Sequence, residues 1–137
     1  GDRVIDPIME IFFSSQDLIV RTSCLKVLIK VATLENYGYL PKTLEKIVEL
    51  SSADENPQII LLLVLLLRQL GKYGLPALIE MSGDKNILKA KASIMAIGEI
   101  NEPNARNYLF ELSKDSSIDE LIKESVICAL ENFKNPS

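Results

Sequence analysis

A run of nine apolar residues, Ile59–Leu67, constrains the fold of this chain more than any other stretch. It follows Asn56-Pro57 and precedes Gly71, near the middle of the sequence. A helix over residues 57–70 would be ~21 Å long, whereas a bilayer core needs ~30 Å, so this helix is too short to span a membrane. Asn is a favoured N-cap, Pro suits the first helical position, and Gly suits a left-handed C-terminal cap. The run is therefore predicted to be a buried core helix.

Length and composition fit one all-helical domain. The 137 residues are 47% hydrophobic, and aromatic side chains are few, with four Phe, four Tyr and no Trp. This composition argues against disorder, and a chain rich in Leu, Ile and Ala favours the packing of helices on helices. We therefore predict a single all-α domain over residues 1–137. Because Gly1 stands where an initiator Met is expected, we also expect the natural protein to be longer.

Charge and cysteine content narrow the possible partners and the compartment. The net charge of −4 is shared evenly by the two halves of the chain, without a basic domain or tail. Because non-specific nucleic-acid binding depends on clustered Lys and Arg, we expect no nucleic-acid partner. Cys24 and Cys128 lie far apart within apolar helical patterns, so we expect two buried free thiols in a reducing, cytoplasmic setting. No metal-ligand spacing is present, and we predict neither a metal site nor a cofactor.

A short motif, apolar-apolar-Glu-apolar, occurs four times, and a Ser follows it within three residues each time. Its acidic residues are Glu10, Glu49, Glu80 and Glu111, spaced 39, 31 and 31 residues apart. Repeats of this length indicate a solenoid of helical hairpins.

We predict four helical hairpins from this repeat. Their first helices are expected at residues 4–14, 41–52, 75–82 and 103–114, and their second helices at 17–33, 57–70, 86–99 and 118–133. Ser117 with Glu120 is predicted to form a capping box, and Gly98 is predicted to end the third hairpin as Gly71 ends the second.

Charged residues recur near the start of the second helices. Asp17 is followed four residues later by Arg21, and Asp119 is followed by Lys123. An Asp at a helix start offsets the positive end of the helix dipole, and a basic residue at i+4 can pair with it. We interpret both pairs as structural.

This pattern resembles the HEAT-repeat family, in which each repeat is a pair of antiparallel helices. In that family the second helix commonly begins with Asp and carries Arg four residues later, as Asp17 and Arg21 do here. The stretch from Ala96 to Ala105 is most similar to the short HEAT-like repeats of phycobiliprotein lyases. The resemblance implies an α-solenoid of about four hairpins, a HEAT-like superhelix, and it does not specify an activity.

The usual catalytic groups are missing from the sequence. The chain has no His, which excludes the Ser-His-Asp triad, the Cys-His pair and the commonest metal ligand. No glycine-rich phosphate loop is present. The densest basic region contains Lys85, Lys89, Lys91 and Arg106, and we interpret it as a solvated face. We assign no catalytic residue.

The repeat register suggests one surface that a partner could bind. When the second helices are aligned on Val20, Ile59, Ala90 and Ile122, positions two, six and ten residues later fall on one side. That side is mostly polar in the first and fourth repeats, which contribute Thr22, Lys26, Lys30, Glu124, Cys128 and Asn132. In the middle repeats it contains Leu61, Leu65, Ala92 and Ala96. We hypothesise that these four residues form a shallow apolar groove for a partner helix or peptide. The alternative is that neighbouring helices of the chain bury this face.

The sequence thus predicts a non-catalytic protein-interaction or scaffold module that binds a protein or peptide through its second helices. We expect a monomer or weak homo-oligomer without membrane contact. Two alternatives stay open: a lyase or lyase partner of the phycobilin-lyase type, and a HEAT-type nucleic-acid-binding module, which would be expected to have a basic concave face.

Overall fold

A computed structural model of the chain describes residues 10–12, 14–31 and 55–134, and all regular structure in these ranges is helical. The described helices are α1 (Leu18–Val31), α2 (Pro57–Gln69), a 3₁₀ turn (Gly71–Tyr73), α3 (Leu75–Ser82), α4 (Ile87–Ile97), α5 (Pro103–Ser113) and α6 (Glu120–Lys134). Residues 10–12 and 14 are helical as well. The all-α prediction is confirmed for the described residues.

The predicted helix positions agree with the observed ones to within a few residues wherever the structure describes them. The four predicted second helices correspond to α1, α2, α4 and α6, and the third and fourth first helices correspond to α3 and α5. The predicted helix at residues 41–52 lies outside the described residues, as does most of the one at residues 4–14.

Each of the four second helices begins with a short polar side chain that caps its free backbone N–H groups. The Asn56 side chain accepts hydrogen bonds from the amides of Gln58 and Ile59, as predicted for the central run. Asp17 Oδ1 accepts from the Ile19 amide at 2.8 Å, and Asn86 Oδ1 accepts from the Lys89 amide at 3.0 Å. Such a cap contributes about 1 kcal/mol to helix stability.

The predicted capping box at Ser117 is wrong. Asp119 stands immediately before α6, and its Oδ1 accepts the Leu121 amide at 2.8 Å. Ser117 instead donates its hydroxyl and its amide to Asp115 Oδ1, at 2.6 and 2.9 Å. These two hydrogen bonds stabilise the charged form of the Asp115 carboxyl and lower its pKa.

The central run forms α2 and lies in the core, as predicted. Within α2 the residues Ile59, Ile60, Leu63, Val64, Leu66 and Leu67 are buried. α2 packs against α1 on one side and α4 on the other, and it also contacts α3. Among the described residues, we find no helix with the length and apolar character needed to cross a membrane.

Helices that are neighbours in sequence also pack as pairs. α3 contacts α4, and α5 contacts α6, while a separate series of contacts joins α1 to α2, α2 to α4 and α4 to α6. Gln69 Nε2 donates to the Ile29 carbonyl at 2.7 Å, which places the carboxyl ends of α1 and α2 together. These two helices therefore run in the same direction.

Two glycines at helix ends have different roles. Gly71 has φ +59°, so the left-handed cap predicted after the central run is confirmed. Gly98 ends α4 in the right-handed region, with φ −63°, and does not repeat the role of Gly71. A Cβ atom at Gly98 would lie 2.7 Å from Ala129 Cβ. Gly98 is therefore required by the close approach of α4 to α6 and not by its own backbone conformation.

Candidate functional site

The candidate site is a groove between α2 and α4, which lie side by side and run in the same direction. Near their amino ends, Asn86 Nδ2 donates to Glu55 Oε2 at 2.6 Å. Near their carboxyl ends, the Arg68 guanidinium forms a salt bridge with the Glu99 carboxylate. Between these two links lies a concave volume of about 300 Å³. Its lining residues are Leu61, Val64, Leu65, Arg68, Ala92, Met95, Ala96 and Glu99.

The groove is lined by equivalent positions of two consecutive predicted repeats. Arg68 and Glu99 are 31 residues apart in sequence. The same separation relates the other lining residues, which form the pairs Leu61 with Ala92, Val64 with Met95, and Leu65 with Ala96. Each residue on the α2 wall thus has its repeat counterpart on the α4 wall. This is the separation that the Glu motif predicted between the second, third and fourth repeats.

All four residues of the predicted groove line this concavity, although their exposures differ. Leu61 is 50% exposed, Leu65 and Ala92 are half-buried, and Ala96 is 4% exposed. The alternative, in which neighbouring helices of the chain bury this face, is wrong for Leu61. Ala96 contributes to the floor of the groove and is not an exposed contact. That a partner binds here stays a prediction.

Four lining residues were not part of the sequence-based hypothesis: Val64, Met95, Arg68 and Glu99. Met95 is 37% exposed and adds a flexible apolar side chain to the groove, a residue type that adapts to irregular partners. Arg68 and Glu99 are both partly exposed, so their salt bridge contributes at most about 1 kcal/mol. Val64 and Arg68 stand five and nine residues after the aligned position Ile59, and Met95 and Glu99 stand at the same distances after Ala90. The 31-residue register could therefore have identified all four.

The two repeated acid-base pairs have mainly local roles. Asp17 caps α1, and the Arg21 guanidinium lies 4.6 Å from the centre of the Phe12 ring. Asp119 caps α6, and among the described residues no salt bridge joins it to Lys123. The ion pair that a basic residue at i+4 can form is thus absent for Asp119 and Lys123 in the described structure, where the Asp119 carboxylate accepts the backbone amide of Leu121.

The predicted solvated basic face is wrong for Lys89, which is 1% exposed. Its ammonium group lies 3.5 Å from the Asp84 carboxylate, in the turn before α4. Lys85 and Arg106 are exposed, and Lys91 is half-buried. The region therefore does not present a continuous basic patch.

The two thiols differ in accessibility. Cys24 is buried, and desolvation raises the pKa of its thiol above the ordinary value. Cys128 is exposed, so the expectation of two buried thiols is wrong for this residue. In the repeat register Cys128 lies on the same side of α6 as Glu124, four residues earlier.

Within the part of the chain that the structure describes, no group of three or more His, Cys, Asp or Glu side chains is arranged to hold a metal ion. A comparison with models of known protein families finds no match, and neither does a search of curated protein sequences. The resemblance to HEAT repeats therefore stays a prediction.

Proposed function

We propose that this chain is a non-catalytic protein-interaction module that binds a helix or peptide of a partner in the groove between α2 and α4. The observation that supports this proposal most directly is the exposure of Leu61 in a helix whose other Ile, Leu and Val residues are buried or half-buried. A Leu side chain contributes about 2 kcal/mol when it is fully buried on binding, so a half-exposed Leu above a concave volume favours association.

We further propose that the hairpins stack as a HEAT-like α-solenoid, with the second helices lining its concave side. The contacts of α1 with α2, α2 with α4 and α4 with α6 support this arrangement. The pairing of groove residues at a separation of 31 also supports it, because stacking equal hairpins brings equivalent positions together. A rigid row of helices provides a preformed groove, which lowers the entropic cost of binding.

A pair of variants tests the binding site. Leu61→Lys places a charge in the groove, whereas Phe110→Lys places the same charge on α5 at a side chain of nearly equal exposure, 51% against 50%. Neither side chain is part of the core, so both variants are expected to fold like the wild type.

The immobilised wild-type chain and the two variants would be used to capture proteins from a native lysate, followed by titration of each purified candidate. We expect at least one protein that binds the wild type and Phe110→Lys but loses at least tenfold in affinity for Leu61→Lys, because a buried charge costs several kcal/mol. If every captured protein binds both variants equally, the groove is not the binding site.

A further inference from the structure

The concave face carries opposite charges at its two ends. Lys26 and Lys30 lie exposed on α1, and Glu124 and Glu131 lie exposed on α6. Among the described residues, none of these four side chains forms a salt bridge. The charged side chains between them, Arg68 and Glu99, neutralise each other. The face is thus basic at one end, apolar in the middle and acidic at the other end.

The packing of the outer helices places these charges beside the groove. On α1, the Ile29 carbonyl accepts a hydrogen bond from Gln69, and Lys30 is the next residue. Gln69 belongs to the same side of α2 as Leu61 and Leu65, because the three stand at intervals of four residues. The basic end of the face therefore adjoins the α2 wall of the groove.

On the opposite side, α6 approaches α4 closely where Gly98 meets Ala129. Glu131 stands two residues after Ala129 and occupies the register position of Glu99 in the next repeat. Glu124 occupies the register position of Ala92. The acidic end of the face therefore adjoins the α4 wall.

We infer that the occupant of the groove is a segment of a partner protein with divided charge: acidic residues at the end that lies over α1, an apolar anchor in the centre, and basic residues over α6. This inference rests on the proposed function. Opposite potentials across an interface favour the correct partner and speed encounter. Nucleic acids and anionic lipid surfaces are disfavoured, because the acidic end repels phosphate groups.

The size of the occupant follows from the spacing of the helices. Packed helices lie roughly 8–10 Å apart, so the row of α1, α2, α4 and α6 spans roughly 24–30 Å. A helical segment of roughly 16–20 residues crosses this distance at ~1.5 Å per residue. Either chain direction satisfies the charges, since only the positions of the acidic and basic ends are specified.

Synthetic peptides test this inference by fluorescence anisotropy with the full chain. One labelled peptide of about 18 residues has a Leu-rich centre, three Glu at one end and three Lys at the other. The matched peptide has the same composition with its Glu and Lys intermixed at both ends. We expect the divided peptide to bind roughly tenfold more tightly at low salt, and this preference to fade as added salt screens the charges.

Protein variants separate the charge inference from the groove itself. In the double variant Lys26→Glu with Lys30→Glu, both ends of the face become acidic, so we expect the divided peptide to lose its advantage over the intermixed peptide. Leu61→Lys is expected to weaken the binding of every peptide.

Equal affinity for the divided and intermixed peptides, lost in Leu61→Lys, would refute the charge inference and leave the proposed groove standing. Absence of binding by either peptide, or binding that Leu61→Lys does not affect, would overturn both. A molecular mass that rises with concentration in sedimentation, and falls on Leu61→Lys, would identify a second copy of the chain as the occupant and refute the divided-charge partner.

Discussion

Substitution of Gly98 by Ala tests how closely α4 and α6 must approach. The new Cβ would lie 2.7 Å from Ala129 Cβ and 2.9 Å from both the Cα and the carbonyl oxygen of Ala129. Two of these three atoms belong to the backbone, so a side-chain rotation cannot relieve the contact. Overpacking of this kind costs about 1–3 kcal/mol. Replacing Gly by Ala at a compatible backbone position stabilises a protein by about 0.4–1 kcal/mol through the unfolded state. We therefore expect a net loss of about 1–2 kcal/mol.

Gly83 provides the matched control for this substitution. It also follows a helix, with φ −96°, and the nearest atom to an added Cβ is the Glu80 carbonyl oxygen at 3.8 Å. Gly83→Ala is therefore expected to leave stability unchanged or to raise it slightly. The two variants differ only in the crowding that the added methyl group meets.

Urea unfolding followed by far-UV circular dichroism measures both effects. A second change, Ala129→Gly, removes one of the three contacts in the Gly98→Ala background. Because Gly within a helix itself costs about 1 kcal/mol, Ala129→Gly should lower stability less in the Gly98→Ala background than in the wild type, and this difference measures the restoration of the contact between α4 and α6. The backbone contacts at 2.9 Å remain, so the restoration should be incomplete. If Gly98→Ala is as stable as Gly83→Ala, then α4 and α6 separate at little cost, and the close approach is not a requirement of the fold.

Three further changes have expected results that follow from single side chains. Ser93 is fully buried, and its Oγ has no hydrogen-bond partner among the described residues. Ser93→Ala should therefore raise the free energy of unfolding by about 1 kcal/mol. A loss of stability in urea unfolding would instead reveal a partner for this hydroxyl. Asn86→Ala removes the cap of α4 and should lower the free energy of unfolding by about 1 kcal/mol. Asn107→Ala, at an exposed position of α5, should not lower it. Equal effects of the two substitutions would show that the cap is dispensable. Cys128 should react with iodoacetamide far faster than Cys24, because burial raises the pKa of the Cys24 thiol and shields it. Mass spectrometry of the two labelled peptides measures the two reaction rates. Similar rates would mean that α1 opens readily.

The elements governed by neighbouring residues were predictable from the sequence. The central run, its Asn56 cap and the left-handed Gly71 depend on side chains and backbone within a few positions, and the structure has them as expected. Asn86 is also a local cap, but no cap was predicted there, because residue 86 was expected to be the first residue of the helix. The helix α4 begins at Ile87, one residue later than predicted, and this difference hid the equivalence of Asn86 with the other N-cap residues.

Features that depend on contacts between distant segments were not predictable in this way. Lys89 is buried and its ammonium group lies 3.5 Å from the Asp84 carboxylate, and no helical periodicity shows either fact. The prediction that Gly98 is a second left-handed cap is wrong. The sequence cannot show that a Cβ atom at Gly98 would lie 2.7 Å from Ala129 Cβ. The apolar residues of the groove were predictable because they follow the repeat register, whereas the sequence prediction did not include Arg68 and Glu99, which form its polar end.

The equivalence of the two groove walls has a consequence for how binding preference could change. The α2 wall contributes Leu61 and Leu65, and the α4 wall contributes Ala92 and Ala96 at the same positions of the next predicted repeat. At these two positions a large side chain on the α2 wall corresponds to a small one on the α4 wall, whereas Val64 corresponds to the larger Met95. Exchanging Ala for a larger residue at Ala92 would make the groove shallower while the backbone of both helices stays in place. Substitutions at one register position can thus alter which side chain the groove accepts, without any change in the fold that supports it.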